Sequence, residues 1–162
     1  MIKRAGILFA AVLAVCLSFG APVSAEAYSV SRGEAVVEVT SGRLLFAENE
    51  DTELPPASTT KILTALIIVE DCDLDTVIEV PKEAAGTEGS SVYLEAGEKL
   101  TVLDLLYGLM LRSGNDCAVT LALYHSGSIS AFAEHMNERA AELGVKHSHF
   151  ANPHGLPAEG HY

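Results

Sequence analysis

Ser58 and Lys61 stand three positions apart in the stretch that runs from Pro55 to Lys61. Residues i and i+3 lie on the same face of a helix, so a helical conformation here would bring the serine hydroxyl and the lysine amine together. An amine held against apolar side chains is disfavoured as a cation, so its pKa falls and it can accept the proton of the serine. The pair predicts a nucleophilic serine with a lysine base, although such a spacing also occurs by chance.

A second candidate for the same site is the Ser-Gly-Asn sequence at residues 113–115. It falls between two apolar segments, where a tight turn between helices can direct side chains into a cleft. Ser113 offers a hydroxyl that could relay a proton, and Asn115 offers both a donor and an acceptor for a peptide group. The alternative is that these residues only end one helix and begin the next, because Ser, Gly and Asn are common in turns.

Apolar helices are expected to position both motifs. The run at residues 62–69 follows two prolines and predicts a helix too apolar for the surface, with Ser58 near its N-terminus. Residues 102–111 predict a second central helix, and Thr101 with Asp104 is typical of a capping box at its start. The other expected elements are helices at about 115–126 and 130–143, a hairpin at 35–48, and short strands at 76–80 and around 149–150.

The N-terminus has the pattern of a secretory signal peptide. Lys3 and Arg4 precede an apolar run that ends at Phe19, and the Val-Ser-Ala sequence at 23–25 offers a cleavage site. We expect residues 1–25 to be removed and residues 26–162 to be exported to the cell envelope or the outer face of the cytoplasmic membrane. An uncleaved N-terminal anchor is the alternative.

The charge of the exported part excludes one class of partner. Removal of residues 1–25 leaves eight basic residues against 22 acidic ones, a formal net charge of −14. Nucleic-acid binding needs clusters of Lys and Arg, so no nucleic-acid partner is expected. Two cysteines remain, Cys72 and Cys117, which are too few for a disulfide framework. Their apolar neighbours favour free buried thiols over pairing with each other.

The chain resembles the D-alanyl-D-alanine carboxypeptidases, the low-molecular-weight penicillin-binding proteins. The resemblance is carried by Pro-Ala-Ser-Thr-Thr-Lys at 56–61, Leu-Leu-Tyr-Gly-Leu-Met-Leu-Arg-Ser-Gly-Asn-Asp at 105–116 and Asn-Pro-His-Gly-Leu at 152–156. It covers nearly all of residues 26–162. It implies an α/β (α+β) fold of the penicillin-binding-protein and β-lactamase type, with an antiparallel sheet, flanking helices and a helical half, incomplete at the C-terminus.

The resemblance also implies a role for each candidate residue. Ser58 would attack the carbonyl of the penultimate D-alanine of a peptidoglycan stem peptide and form an acyl-enzyme, and its amide would supply half of the oxyanion hole. Lys61 would be the general base, Ser113 would pass a proton to the leaving D-alanine, and Asn115 would bind the substrate backbone. β-Lactam antibiotics would be covalent inhibitors. Such catalysis is expected to use no cofactor and no metal.

One motif of the family is absent from the sequence. A Lys-Thr-Gly sequence is expected on a later strand; the His-Ser-Gly at 125–127 follows Asn115 too closely and is interpreted as an ordinary helix end. We therefore interpret residues 26–162 as the N-terminal part of a catalytic domain. The chain alone is expected to be a poor catalyst of marginal stability, because its sheet would expose an unpaired edge. Membrane association is expected only through a C-terminal anchor that this sequence lacks.

Other functions compete with this interpretation. A serine β-lactamase shares the first motif but usually carries Ser-Asp-Asn at the second, and a non-catalytic relative would keep the fold without acylation. A third alternative is a metal hydrolase built on the histidines of the tail, His147, His149, His154 and His161. It is disfavoured because no His-Glu-x-x-His spacing is present. The acidic segment 71–75 and His135 are expected to be solvated.

Overall fold

Four helices and two small sheets make up the computed structural model, which describes residues 31–162. The predicted signal peptide, residues 1–25, lies outside the described residues. The helices are α1 (Thr60–Asp71), α2 (Val102–Arg112), α3 (Asn115–Ser126) and α4 (Ile129–Glu142). The strands are β1 (Glu34–Glu38), β2 (Arg43–Glu48), β3 (Val77–Glu79) and β4 (Lys99–Thr101).

Local sequence signals determine where the helices begin and end. The predicted capping box of α2 is confirmed: the Asp104 amide donates to Thr101 Oγ1 at 3.0 Å, and the Thr101 amide donates to Asp104 Oδ2 at 3.2 Å. Ser128 caps α4 by accepting from the Ala131 amide at 3.1 Å. Gly127 has a φ of 76° and ends α3, which confirms that the His-Ser-Gly sequence is a helix end.

Helix α1 packs against the other three helices and lies at the centre of the hydrophobic core. The largest side chains with almost no exposure are Ile67, Ile68, Leu105, Leu109, Leu121, Phe132 and Met136. Burial of each such side chain contributes about 1.5–3 kcal/mol relative to exposure. This core holds α1 in place, and the Ser-x-x-Lys motif spans the turn before α1 and its first residues.

The prediction that α1 and α2 are too apolar for the surface is wrong for part of each helix. In α1, Ile62 is 62% exposed and Val69 is 53% exposed. In α2, Met110 is 50% exposed and Leu111 is 75% exposed. Within residues 31–162, the core packs against only one side of α1 and of α2, so apolar side chains on the opposite side are exposed to solvent.

The strands form two separate antiparallel pairs in the described part of the chain, β1 with β2 and β3 with β4. The predicted hairpin is confirmed as β1–β2, whose register shifts between Val36 and Val37. The strand predicted around residues 149–150 is wrong. His149 and Tyr162 instead exchange two backbone hydrogen bonds, of 2.7 and 3.0 Å, without forming a strand.

The prediction of free thiols is confirmed, since neither Cys72 nor Cys117 is in a disulfide. Cys117 is buried in the core, and burial raises its pKa to about 12, so it stays protonated at neutral pH. Cys72 is only partly buried. Over residues 31–162, no helix has the length and apolar character needed to cross a membrane.

Candidate active site

Ser58 lies in a short 3-10 turn, Ala57–Thr59, that leads directly into α1. The prolines before it shape this turn: Pro56 accepts from both the amide and the hydroxyl of Thr59, at 3.3 and 2.6 Å. Ala57 has a φ of 48°, a left-handed conformation that is uncommon for a residue with a side chain. The turn leaves Ser58 exposed at the N-terminal end of α1, as the sequence predicted.

Lys61 is brought beneath Ser58 by the first turn of α1 and is only 2% exposed. Its Nζ atom donates to Ser58 Oγ at 3.2 Å and to the carbonyl oxygen of His154 at 2.7 Å. Burial lowers the pKa of the Lys61 amine, because the charged form loses its hydration. Neither of these two partners is a carboxylate that could restore the pKa by pairing. The amine is therefore disposed to lose its proton more readily than an ordinary lysine.

Ser113 reaches the same hydroxyl from the end of α2. It is the residue that ends α2, and its φ of 57° turns the chain sharply towards α3. In this conformation Ser113 Oγ donates to Ser58 Oγ at 3.0 Å. Ser58, Lys61 and Ser113 therefore meet around one oxygen atom, although they come from two helices far apart in sequence.

Asn115 follows Ser113 by two residues, and its hydrogen bonds go to a neighbouring loop. It is the first residue of α3 and is 4% exposed. Its Nδ2 atom donates to the Glu88 carbonyl at 2.7 Å, and its amide donates to the Ser90 carbonyl at 2.7 Å. These bonds hold residues 88–90 against the start of α3. The role of Asn115 in binding a substrate backbone stays a prediction.

Asp116 supports the same region and was not singled out from the sequence. It is fully buried, and its carboxylate accepts from Ser91 Oγ at 2.6 Å and from the amides of Val92 and Leu94 at 3.0–3.2 Å. Burial alone would raise the pKa of Asp116, but these hydrogen bonds hold the pKa below its usual value. The sequence signal was available, because an Asp in the first turn of a helix is typical of anchoring nearby amides.

A turn at residues 152–156 forms the floor beneath Lys61, which the sequence did not predict. Asn152 stabilises this turn with three hydrogen bonds. Its Oδ1 accepts from the amides of His154 and Gly155 at 3.2 and 2.7 Å, and its Nδ2 donates to the Leu156 carbonyl oxygen at 2.8 Å. The contact with Lys61 is made by a backbone carbonyl, which leaves no signature in residue type.

Gly155 lets this turn press against the Ser58 turn. A Cβ atom at Gly155 would lie 1.7 Å from the Ala57 carbonyl oxygen, and its φ of 88° is left-handed. Two buried threonines of α1 also contact the C-terminal segment, residues 147–162. Thr64 Oγ1 donates to the Pro153 carbonyl at 2.7 Å, and Thr60 Oγ1 lies 3.1 Å from His161 Nε2.

The histidines of the tail make separate contacts. His154 Nδ1 accepts from the Leu156 amide at 3.2 Å, His161 Nδ1 accepts from the Ala151 amide at 2.9 Å, and His149 Nδ1 contacts the Gly160 carbonyl. Burial, followed by the charge of Lys61 and then of His161, lowers the pKa of His154 to about 4. His154 is therefore neutral at pH 7.

His135, predicted to be solvated, has a side chain that is 36% exposed. It is partly buried on α4, and its Nε2 atom lies 3.1 Å from Asp71 Oδ2 at the end of α1. His125 Nε2, at the end of α3, lies 3.1 Å from the same oxygen. Periodicity along α4 could not reveal this cluster, because its members come from three helices.

Comparisons with known proteins point to one family. A family model described as D-alanyl-D-alanine carboxypeptidase matches residues 22–162. The D-alanyl-D-alanine carboxypeptidase DacF of Bacillus subtilis is 39% identical over 82% of this chain, and the match covers 35% of its own length. DacC of Escherichia coli is 36% identical over 90% of this chain and 39% of its own length.

Solved structures give the same result for the fold. The crystal structure of the D-alanyl-D-alanine carboxypeptidase DacD from Francisella tularensis matches with a TM-score of 0.78 and 36% identity, over 83% of this chain and 34% of that one. Penicillin binding protein 5 from Haemophilus influenzae matches with a TM-score of 0.76 and 29% identity, over 82% of this chain and 41% of that one. The predicted penicillin-binding-protein type of fold is confirmed, and the chain spans less than half the length of these relatives. It belongs to the D-alanyl-D-alanine carboxypeptidase family.

Proposed function

We propose that this chain carries the nucleophile and proton-transfer groups of a serine-type D-Ala-D-Ala carboxypeptidase that acts on peptidoglycan stem peptides. The observation that carries the proposal is the contact of Ser58 Oγ with both Lys61 Nζ, at 3.2 Å, and Ser113 Oγ, at 3.0 Å. A nucleophile within hydrogen-bond reach of a base, with a third group in contact, is the arrangement that covalent acyl transfer requires.

The first step is activation of Ser58. When Lys61 is neutral, the lone pair of Nζ can face Ser58 Oγ, so the serine hydroxyl donates across the same contact and transfers its proton. The His154 carbonyl continues to accept an N–H of Lys61 and keeps the amine in place. Ser58 Oγ then attacks the carbonyl carbon of the penultimate D-alanine and forms a tetrahedral intermediate. We expect the Ser58 amide, in the turn before α1, to donate to this oxyanion.

Collapse of the intermediate releases D-alanine. The C–N bond breaks, and the leaving nitrogen takes a proton from Ser113 Oγ. Lys61, which was protonated when Ser58 was activated, returns that proton to Ser113, because Ser58 Oγ is now bonded to carbon and cannot relay it. An ester of Ser58 remains, and water hydrolyses it by the same groups in reverse. A β-lactam would follow the first half of this path, and its ring-opened acyl group would stay on Ser58. Export to the cell envelope would place the site beside its substrate.

The test is covalent labelling of the purified chain with a fluorescent penicillin, followed by denaturing electrophoresis. We expect labelling of the original chain and none in Ser58→Ala. Ser148→Ala removes an exposed serine outside the trio and should label as the original does. Release of D-alanine from a peptide ending in D-Ala-D-Ala measures turnover. Labelling that persists in Ser58→Ala would refute the assignment of the nucleophile, and a full-length version that never labels would favour a non-catalytic relative.

The decay of the label separates the proposed activity from a β-lactamase. A carboxypeptidase should hold the penicilloyl ester for many minutes, whereas a β-lactamase should release it at once and consume the penicillin in solution. Rapid loss of a chromogenic β-lactam, dependent on Ser58, would support the β-lactamase instead.

A further inference from the structure

The ends of three helices bring together two imidazoles and a carboxylate at a place the proposed reaction does not use. Asp71 is the last residue of α1, His125 lies in the last turn of α3, and His135 lies on α4. One ligand atom of each lies within 4.8 Å of the others. Asp71 is ten residues beyond Lys61 along α1, about 15 Å at the rise of an α-helix, so the cluster is separate from the Ser58 site.

The distances within the cluster suit a small tetrahedral cation. Asp71 Oδ2 lies 3.1 Å from His125 Nε2 and 3.1 Å from His135 Nε2, and the two rings are 5.1 Å apart between centroids. Zinc binds imidazole nitrogen and carboxylate oxygen at about 2.0–2.2 Å, which places neighbouring ligands of a tetrahedron about 3.3 Å apart. Only small shifts of the Asp71, His125 and His135 side chains would therefore be needed to bind such an ion.

The other nitrogen of each ring already has the kind of partner that orients a metal ligand. His125 Nδ1 lies 2.7 Å from Ser126 Oγ, and His135 Nδ1 lies 3.8 Å from Glu138 Oε2. Ligating histidines generally donate their second N–H to an oxygen, which fixes the ring and leaves the facing nitrogen free for the ion. Both Nε2 atoms face Asp71, so the two rings present the same nitrogen to one point.

Charge also favours a cation at this place. Two helix C-termini, those of α1 and α3, carry partial negative charge from their terminal carbonyl groups. The Asp71 carboxylate adds a full negative charge. The side chains of His135 and Asp71 are 36% and 42% exposed, so a cation can enter from solvent and keep water in a further coordination position.

We propose that Asp71, His125 and His135 form a binding site for a divalent transition metal of the zinc class, with water completing a tetrahedral shell. The ion would replace the hydrogen bonds of the two Nε2 atoms, while His125 shifts its proton to Nδ1 and donates to Ser126. It would join the end of α1 to α3 and α4, and so stabilise the helical core that positions Ser58. This ion takes no part in acyl transfer.

The test uses the purified chain without a polyhistidine tag, stripped of metal with a chelator. Calorimetric titration with Zn²⁺ should give one ion per chain, and Co²⁺ should give visible absorption bands that Zn²⁺ abolishes. We expect His135→Gln and Asp71→Asn each to weaken Zn²⁺ binding by at least about tenfold. Zn²⁺ at about a hundred times its dissociation constant should raise the Tm of the original chain by roughly 5–10 °C.

His147→Gln is the matched control, because it removes a histidine from the exposed tail and leaves the cluster intact. It should bind one Zn²⁺ with unchanged affinity. His135 is partly exposed, so its variant should fold, which circular dichroism verifies. Absence of stoichiometric Zn²⁺ binding by the original chain would overturn the proposal. Equal affinity of the original chain and His135→Gln would overturn it as well, since the ion would then be bound elsewhere.

Discussion

At the scale of single residues, Lys61 is distinctive because a buried amine faces two neutral oxygens, Ser58 Oγ and the His154 carbonyl. The lowered pKa that burial imposes on Lys61 is useful only if the residue can become neutral. Arginine keeps its charge in proteins at any ordinary pH, so Lys61→Arg retains the charge and removes the base.

We expect Lys61→Arg to lower the rate of penicillin acylation by about 10²–10⁴-fold, the usual contribution of a general base. The rate is measured by quenching the fluorescent penicillin reaction at a series of times. Lys146→Arg, at an exposed position, should leave the rate unchanged. Acylation by Lys61→Arg within a factor of two of the original would mean that another group removes the proton.

His154 makes the stability of the chain depend on pH. Its pKa in the folded chain is about 4, against an ordinary value of 6.5, so between these values the unfolded chain binds more protons. Stability should therefore rise with pH through this window and be lost as the pH falls from 6.5 towards 4. Protonation would also remove Nδ1 as the acceptor for the Leu156 amide.

The expected contribution of His154 is up to about 3 kcal/mol, from 1.36 kcal/mol per unit of pKa difference. Urea unfolding midpoints at pH 7 and pH 4.5 measure it. His154→Gln should show a smaller loss of stability between the two pH values than the original chain, and His147→Gln should show the same loss as the original. Parallel pH dependence in all three chains would show that carboxylates alone account for it.

At the scale of elements, the sequence predicts a feature correctly where a single segment contains the whole signal for it. The four helices, the hairpin, the capping box at Thr101 and the proximity of Ser58 to Lys61 follow from periodicity and spacing within single segments. The sequence does not predict contacts between segments that are far apart along the chain. The floor beneath Lys61 is a backbone carbonyl, and the exposed side of α1 depends on what packs against it, which hydrophobicity along one helix cannot reveal.

Contact between the 152–156 turn and the Ser58 turn can be tested through Gly155. An added Cβ atom would collide with the Ala57 carbonyl at 1.7 Å, so Gly155→Ala must push the two turns apart. Gly42→Ala is the matched control: Gly42 also has a positive φ, of 69°, but nothing lies within 4 Å of its Cβ position. Both variants carry the left-handed strain of about 1–2 kcal/mol, and only Gly155→Ala carries the collision.

We expect Gly155→Ala to slow acylation of Ser58 at least about tenfold, because a displacement near 1 Å at a reacting group can cost about 100-fold. It should also unfold at lower urea concentration than Gly42→Ala. Rates of fluorescent penicillin labelling and urea midpoints measure the two effects. A chain that acylates as fast as Gly42→Ala would show that the two turns move independently of each other.

At the scale of the whole molecule, the β1–β2 hairpin stands out because it pairs only with itself in the part of the chain that the structure describes. Its exposed apolar side chains are Val36, Val37, Val39, Leu44, Leu45 and Phe46, each at least 49% exposed. Contiguous apolar surface and open strand edges both favour association with other chains. The β1–β2 hairpin is therefore where we expect the marginal stability of this chain to arise.

We expect the purified chain to self-associate as its concentration rises, through this hairpin. The double substitution Val36→Thr and Phe46→Thr changes one cross-strand pair and places a β-branched residue suited to a strand at both positions. It should lower the weight-average mass at high concentration, measured by light scattering after size-exclusion chromatography. Val77→Thr changes an exposed valine of β3, at 59% exposure, and should leave association unchanged. A chain that stays monomeric at every concentration would contradict the predicted self-association, and a double variant that associates as strongly as the original would show that another surface is responsible.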